Sequence, residues 1–110
     1  MNTSDDVPSV VPPVMDEIIH SPYRLRICSL LQQLGVTEYQ LLRESLEVSP
    51  SVLSKHLKKL EEAGYVQLSK RLVNTRPHTW VALTERGSRA LRSHLAYLER
   101  IILETTSYRQ

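Results

Sequence analysis

Between residues 49 and 59 the chain sets three hydroxyls, Ser49, Ser51 and Ser54, around the start of a run that continues with Lys55, His56, Lys58 and Lys59. Val52, Leu53, Leu57, Leu60 and Ala63 recur at helical spacing through the same stretch, so the polar set takes the outer face of one amphipathic helix. Serine hydroxyls both donate and accept hydrogen bonds, and lysines carry charge on long stems, which suits a polyanion with mixed polar edges. A second basic group follows at Lys70, Arg71, Asn74 and Arg76, within KRLVNTRPH, residues 70–78. Residues 49–80 hold six lysines and arginines against two glutamates, a net of +4, while the rest of the chain sums to −2. Such asymmetry points most simply to nucleic acid, with a solvated basic face as the plainer alternative.

These residues need elements to hold them. A chain of 110 residues with 41% hydrophobic and 24% charged content is expected to form one domain around one core. No apolar run approaches the ~20 residues of a membrane span. The N-terminus lacks the basic start and apolar block of a secretion signal. A lone cysteine, Cys28, forms no internal disulfide and fits a reducing interior, hence a cytoplasmic protein.

Residues 1–14, with Pro8, Pro12 and Pro13, read as a flexible tail, and Met15–His20 as a short helix. Ser21-Pro22 and Ser49-Pro50 each open a helix, since serine caps well and proline fits the first turn. Gly35 and Gly64 close those helices. Between them, Thr37 with Gln40 forms the T-x-x-Q pattern of a capping box and starts a short helix. After Gly64 the apolar period becomes alternating: Val66 and Leu68, then Val81 and Leu83, predict two strands of a hairpin with a long basic tip. Thr84 caps a last helix, within which Gly87 marks close approach of another backbone. The fold class is mainly α with a small β-hairpin (α+β).

A short helix, a tight turn, a polar-faced helix and a basic hairpin resemble the winged helix-turn-helix regulators of the MarR and ArsR type, small bacterial transcriptional regulators. The likeness rests on SPYRLRICSLL, SVLSKHLKKLEEAGYV, the wing SKRLVNTRPHTWVALTERG and the LTERG that opens the last helix, and covers about residues 15 to 103. It implies a winged-helix domain over residues 15–106, with a recognition helix at 50–63, a wing at 66–83 and a long dimerisation helix at 85–106. The implied partner is double-stranded DNA, bound by Ser49, Ser51, Ser54, Lys55, His56, Lys58 and Lys59 in the major groove. Lys70, Arg71, Asn74 and Arg76 would lie on the minor groove or backbone, Arg76 being the residue expected in the minor groove. The implied role is that of a repressor; a winged helix that docks proteins instead of DNA is the alternative.

The last helix carries Leu91, Leu95, Leu98 and Ile102 at steps of four, three and four, the seam of a coiled coil, with Ile101 widening it. A homodimer is expected through these residues, helped by Met15, Ile18 and Ile19. A small-molecule effector of unknown identity is a further partner that could lodge between that helix and the DNA-binding core, although no polar cluster there declares its chemistry.

Catalytic and metal-binding sets are not expected. There is no Gly-rich loop, and Asp16 or Glu17 with His20 gives too few ligands for a metal. The metal sensors of the ArsR type carry a cysteine pair before the recognition helix or an Asp/His set on the last helix. Here TEYQLLRES has no cysteine, and His94 and Glu99 are five apart. Cys28 flanks an apolar helix face and reads as a small core hydrophobe, with a thiol sensor as the alternative.

Overall fold

Two Ser-Pro pairs start two helices by the same chemistry. In the computed structural model, which describes residues 11–107, α1 spans Pro22–Leu34 and Ser21 Oγ accepts the N–H of Arg24. The helix α3 spans Pro50–Glu62, and Ser49 Oγ accepts the N–H of Val52. Gly35 at φ 77° and Gly64 at φ 80° follow their C-termini, where the left-handed region favours glycine. Between them α2, Tyr39–Leu46, ends on Glu47, itself left-handed at φ 56°.

Thr37 does not cap α2. Thr37–Glu38 form a short strand, β1, whose Thr37 pairs with Val81 and is buried, and the Thr37 hydroxyl donates to Gly35 O. The capping box fails because strand pairing claims its first residue; Gln40 instead donates to Glu44 one turn on. β2, Val66–Val73, and β3, Arg76–Leu83, complete a three-stranded antiparallel sheet in the order β1-β3-β2. The expected long tip is a ladder almost to its end: Lys70 pairs with Thr79, Arg71 with His78, Leu72 with Pro77 and Val73 with Arg76. Only Asn74 and Thr75 turn the chain, both at positive φ, 52° and 66°, as a two-residue hairpin turn requires. Pro77 is tolerated in β3 because β1 pairs only with Trp80 and Val81, leaving the N-terminal part of that edge without a neighbour.

α4 spans Glu85–Ser107, with Thr84 Oγ1 accepting the N–H of Gly87. Gly87 is where the sheet and α4 touch: a Cβ there would sit 2.2 Å from Tyr65 O and 2.9 Å from Leu83 Cδ1. One core gathers Ile27, Cys28 and Leu31 of α1, Leu42 and Leu46 of α2, Leu53, Leu57 and Leu60 of α3, Val66, Val81, and Leu91 of α4. Beyond Leu98 every described residue of α4 is exposed, so the helix leaves its own domain for its last third.

The segment before α1 departs from expectation. Residues 17–19 form a turn rather than a helix, because Asp16 Oδ1 takes the N–H groups of Ile18 and Ile19, both at 2.9 Å. Residues 1–10 of the expected tail lie outside the described residues. Residues 12 and 14 rest on α4, where Ser93 Oγ donates to Pro12 O and Val14 N donates to Ser93 O.

Candidate nucleic-acid interface

Burial of Leu53, Leu57 and Leu60 fixes the rotation of α3, and at 100° per residue it turns Ser51, Lys55 and Lys58 directly outward. All three are exposed, as are Ser49, Ser54 and Lys59. Among the described residues, Lys55, Lys58 and Lys59 have no ion-pair partner, although Glu61 and Glu62 share their helix. Three cations that make no ion pair leave their charge for an external anion.

The shoulders of α3 are built differently. On one side His56 turns inward to α1: Arg24 Nη1 lies 3.1 Å from His56 Nδ1, and the Tyr23 ring is 5.6 Å from the imidazole. A guanidinium only donates, so Nδ1 accepts and the ring proton sits on Nε2. Burial, then the charges of Arg24, Lys55 and Lys59, hold the His56 pKa below its ordinary value. Arg24 is held from behind, its Nε donating to Ile18 O. On the other shoulder Ser54 faces the sheet across a cleft of about 390 Å³ lined by Tyr39, Ser54, Leu68, Ser69, Lys70 and Thr79. Tyr39 Oη donates to Pro50 O at 2.9 Å and lies 2.8 Å from Ser54 Oγ.

The wing divides its basic residues between two faces. By the alternation of β2 and β3, Lys70 shares a face with core-side Leu68 and lines the cleft beside Ser54. Arg71 and Arg76 take the opposite face, where the Arg71 guanidinium carbon stands 5.4 Å from the centre of the Trp80 ring. Next to it His78 Nδ1 contacts Glu38 Oε2, bracing β3 against β1. Asn74 occupies the turn. Lys70 therefore joins the α3 surface directly, while Arg71 is partly engaged within the wing.

The residues assigned to a second copy also divide. Ile19 and Leu91, expected at a dimer interface, are 0% and 1% exposed and belong to the chain's own core. Ile18 and Leu98 are half-buried. Met15, Leu95, Ile101 and Ile102 stay exposed, with Leu103 beside them.

Sequence reading missed Tyr39, Tyr23 and Arg24, which touch α3 side chains across 15, 33 and 32 residues of chain, and no local pattern reports such contacts. It also missed a polar cluster between α4 and the core. Tyr65 Oη donates to Asp16 Oδ2, Asp16 N donates to His94 Nδ1 at 3.0 Å, and His94 Nε2 lies 3.3 Å from His20 Nδ1. These groups are spent on one another. Among the described residues, no set of three His, Cys, Asp or Glu side chains is placed to hold a metal. Cys28 is fully buried, and burial pushes its thiol up to about 12, which suits the core hydrophobe and not a reactive thiolate. Among the described residues no helix is long and apolar enough to cross a membrane.

Comparison with known proteins agrees with this architecture. Residues 23–102 match the family described as winged helix DNA-binding domain. An uncharacterized protein of Methanocaldococcus jannaschii is 34% identical over 79 residues, 72% of this chain and 86% of the relative. The solved transcriptional regulator homologue from Pyrococcus horikoshii superposes with a TM-score of 0.78 at 27% identity, over 82% of this chain and 89% of that one. ZitR of Lactococcus lactis, a zinc-responsive MarR family member, shares the fold with a TM-score of 0.60 at 20% identity, over 96% and 73% of the two chains.

Proposed function

Since the chain belongs to the winged helix DNA-binding domain family, we propose that it is a homodimeric transcriptional repressor that reads a pseudo-palindromic duplex. The helix α3 enters the major groove with Ser51, Ser54 and Lys55 toward base edges, and Lys58 and Lys59 toward phosphates. The wing tracks the adjacent backbone or minor groove, with Lys70 on the α3 side and Arg76 near the tip. The observation that carries this reading is the outward row Ser51, Lys55 and Lys58, exposed and without carboxylate partners.

The second copy is proposed to pack along the distal half of α4. Support comes from the exposed Leu95, Ile101, Ile102 and Leu103, and from the groove whose apolar lining, Val11, Leu95, Ala96, Leu98 and Ile102, is flanked by Arg92 and Glu99. A domain of this size rarely leaves such a contiguous apolar stripe in water. Pairing there would set two copies of α3 about one DNA turn apart, ~34 Å.

Selection of duplexes from a random pool tests the proposal. Two similar half-sites separated by about one turn are expected, with affinity falling steeply as salt rises because phosphate contacts release counterions. Absent or salt-insensitive binding overturns it.

A further inference from the structure

Ser54 and Ser51 both offer hydroxyls at the start of α3, yet the fold treats them differently. Ser51 Oγ lies 3.2 Å from Ser49 Oγ, and either hydroxyl can supply the proton, so Ser51 remains free to donate or accept. Ser54 is constrained through Tyr39. The phenol has one proton, and its partner at 2.9 Å is Pro50 O, a carbonyl that can only accept. The phenolic proton therefore goes to Pro50 O. At 2.8 Å the remaining link between Tyr39 Oη and Ser54 Oγ must then use the serine proton. What Ser54 turns toward the outside is a lone pair alone.

We infer that Tyr39, through this relay, makes Ser54 an acceptor-only reader that distinguishes amino from keto bases at one position of each half-site. This deepens the DNA-binding reading and rests on it. In the major groove adenine offers N6–H and cytosine N4–H, whereas guanine O6 and thymine O4 are acceptors. Every base pair carries one amino group and one keto group there, so an acceptor-only side chain reports which strand holds the amino base. It repels the keto edge because two lone pairs then face each other. Phosphate oxygens are excluded as partners for the same reason, which separates Ser54 from Lys55 and Lys58 in role. Tyr39 is the positioning residue; it lies behind Ser54, in the wall of the cleft shared with Lys70.

The test compares base preference for the full-length protein and two variants, Tyr39→Phe and Ser54→Ala, in duplex selection from the same random pool. The wild-type protein is expected to show one position per half-site where adenine or cytosine exceeds guanine or thymine by about three- to tenfold, the worth of one hydrogen bond. Replacing that adenine by purine, which lacks the 6-amino group, should remove the preference. Tyr39→Phe frees the serine proton, so the preference at this position should flatten while other positions keep theirs; a loosened fold would blur all positions together. Ser54→Ala keeps the Tyr39–Pro50 bond and should flatten the same position. An unchanged profile in both variants, or a keto preference at that position, overturns the inference and leaves the DNA-binding reading standing. Failure of the wild-type protein to enrich any duplex overturns both.

Discussion

His94 Nε2 stands 3.3 Å from His20 Nδ1, while the other His94 nitrogen accepts the N–H of Asp16 at 3.0 Å. Both His94 nitrogens are thus committed in the neutral ring: Nδ1 as acceptor, Nε2 as donor. A proton on His94 Nδ1 would oppose the Asp16 N–H. Burial first, then the charge of His20, lowers the His94 pKa, with Asp16 acting the other way. The unfolded chain therefore binds the additional proton. Stability is complete above the ordinary histidine value of 6.5 and is lost as pH falls below it. The melting midpoint is expected to drop between about pH 7.5 and about pH 5.5. His94→Leu should shrink that slope while lowering the midpoint at neutral pH by leaving the Asp16 N–H without its acceptor. A pH profile identical in the variant removes the assignment.

Gly87 and Gly35 should respond to alanine by different routes. At Gly87 the new Cβ would meet Tyr65 O at 2.2 Å, a backbone atom that cannot swing aside, so Gly87→Ala should cost about 3 kcal/mol, the upper end of overpacking. Gly35 has open space around it but sits at φ 77°, so Gly35→Ala should cost only about 1 kcal/mol of backbone strain. Denaturant titration of both variants checks the order, and equal losses would show that Gly87 does not fix the seam between α4 and the sheet.

What was legible in the sequence is what short-range chemistry determines. Ser21-Pro22 and Ser49-Pro50 declare helix starts because cap and first turn lie within three residues. The alternation of Val66 and Leu68 declares a strand for the same reason. Thr37 misled because its local pattern and its tertiary pairing compete, and the partner that wins, Val81, lies 44 residues away. Met15–His20 misled because Asp16 can either join a helix or close a turn, and its long-range bonds to Tyr65 and His94 favour the turn. Leu91 and Leu95 read as one seam, but the sequence does not say where the core of the same chain ends. The structure puts that limit between them: Leu91 inside, Leu95 42% exposed.

Lys58 should behave as a phosphate contact. It points straight out from α3 and has no carboxylate partner among the described residues. Lys58→Ala is expected to weaken binding to all duplexes by a similar factor and to reduce the slope of log affinity against log salt by about 1. Arg76→Ala, at the wing tip, should instead change preference in the flanking A·T-rich step. Fluorescence anisotropy at several salt concentrations separates the two. A Lys58→Ala protein that re-ranks sequences without altering the salt slope would place that lysine on a base edge.

The split along α4 gives the last prediction. Ile102 is 63% exposed on the part of the helix that has left its own domain, whereas Leu91, eleven residues earlier, is 1% exposed within the core. If a second copy covers the distal stripe, Ile102→Asp buries a charge in that contact and should yield a single-copy mass in light scattering. Its melting midpoint should no longer depend on protein concentration, because association and folding are then uncoupled. Leu91→Ala removes packing inside each copy instead, so it should lower stability by about 2–5 kcal/mol while the assembled mass persists under native conditions. If the helix instead folds back on its own domain, Ile102→Asp would destabilise one copy without changing its mass. A wild-type protein that already runs as one copy, with Ile102→Asp indistinguishable from it, would remove the distal half of α4 from any account of how two recognition helices are spaced.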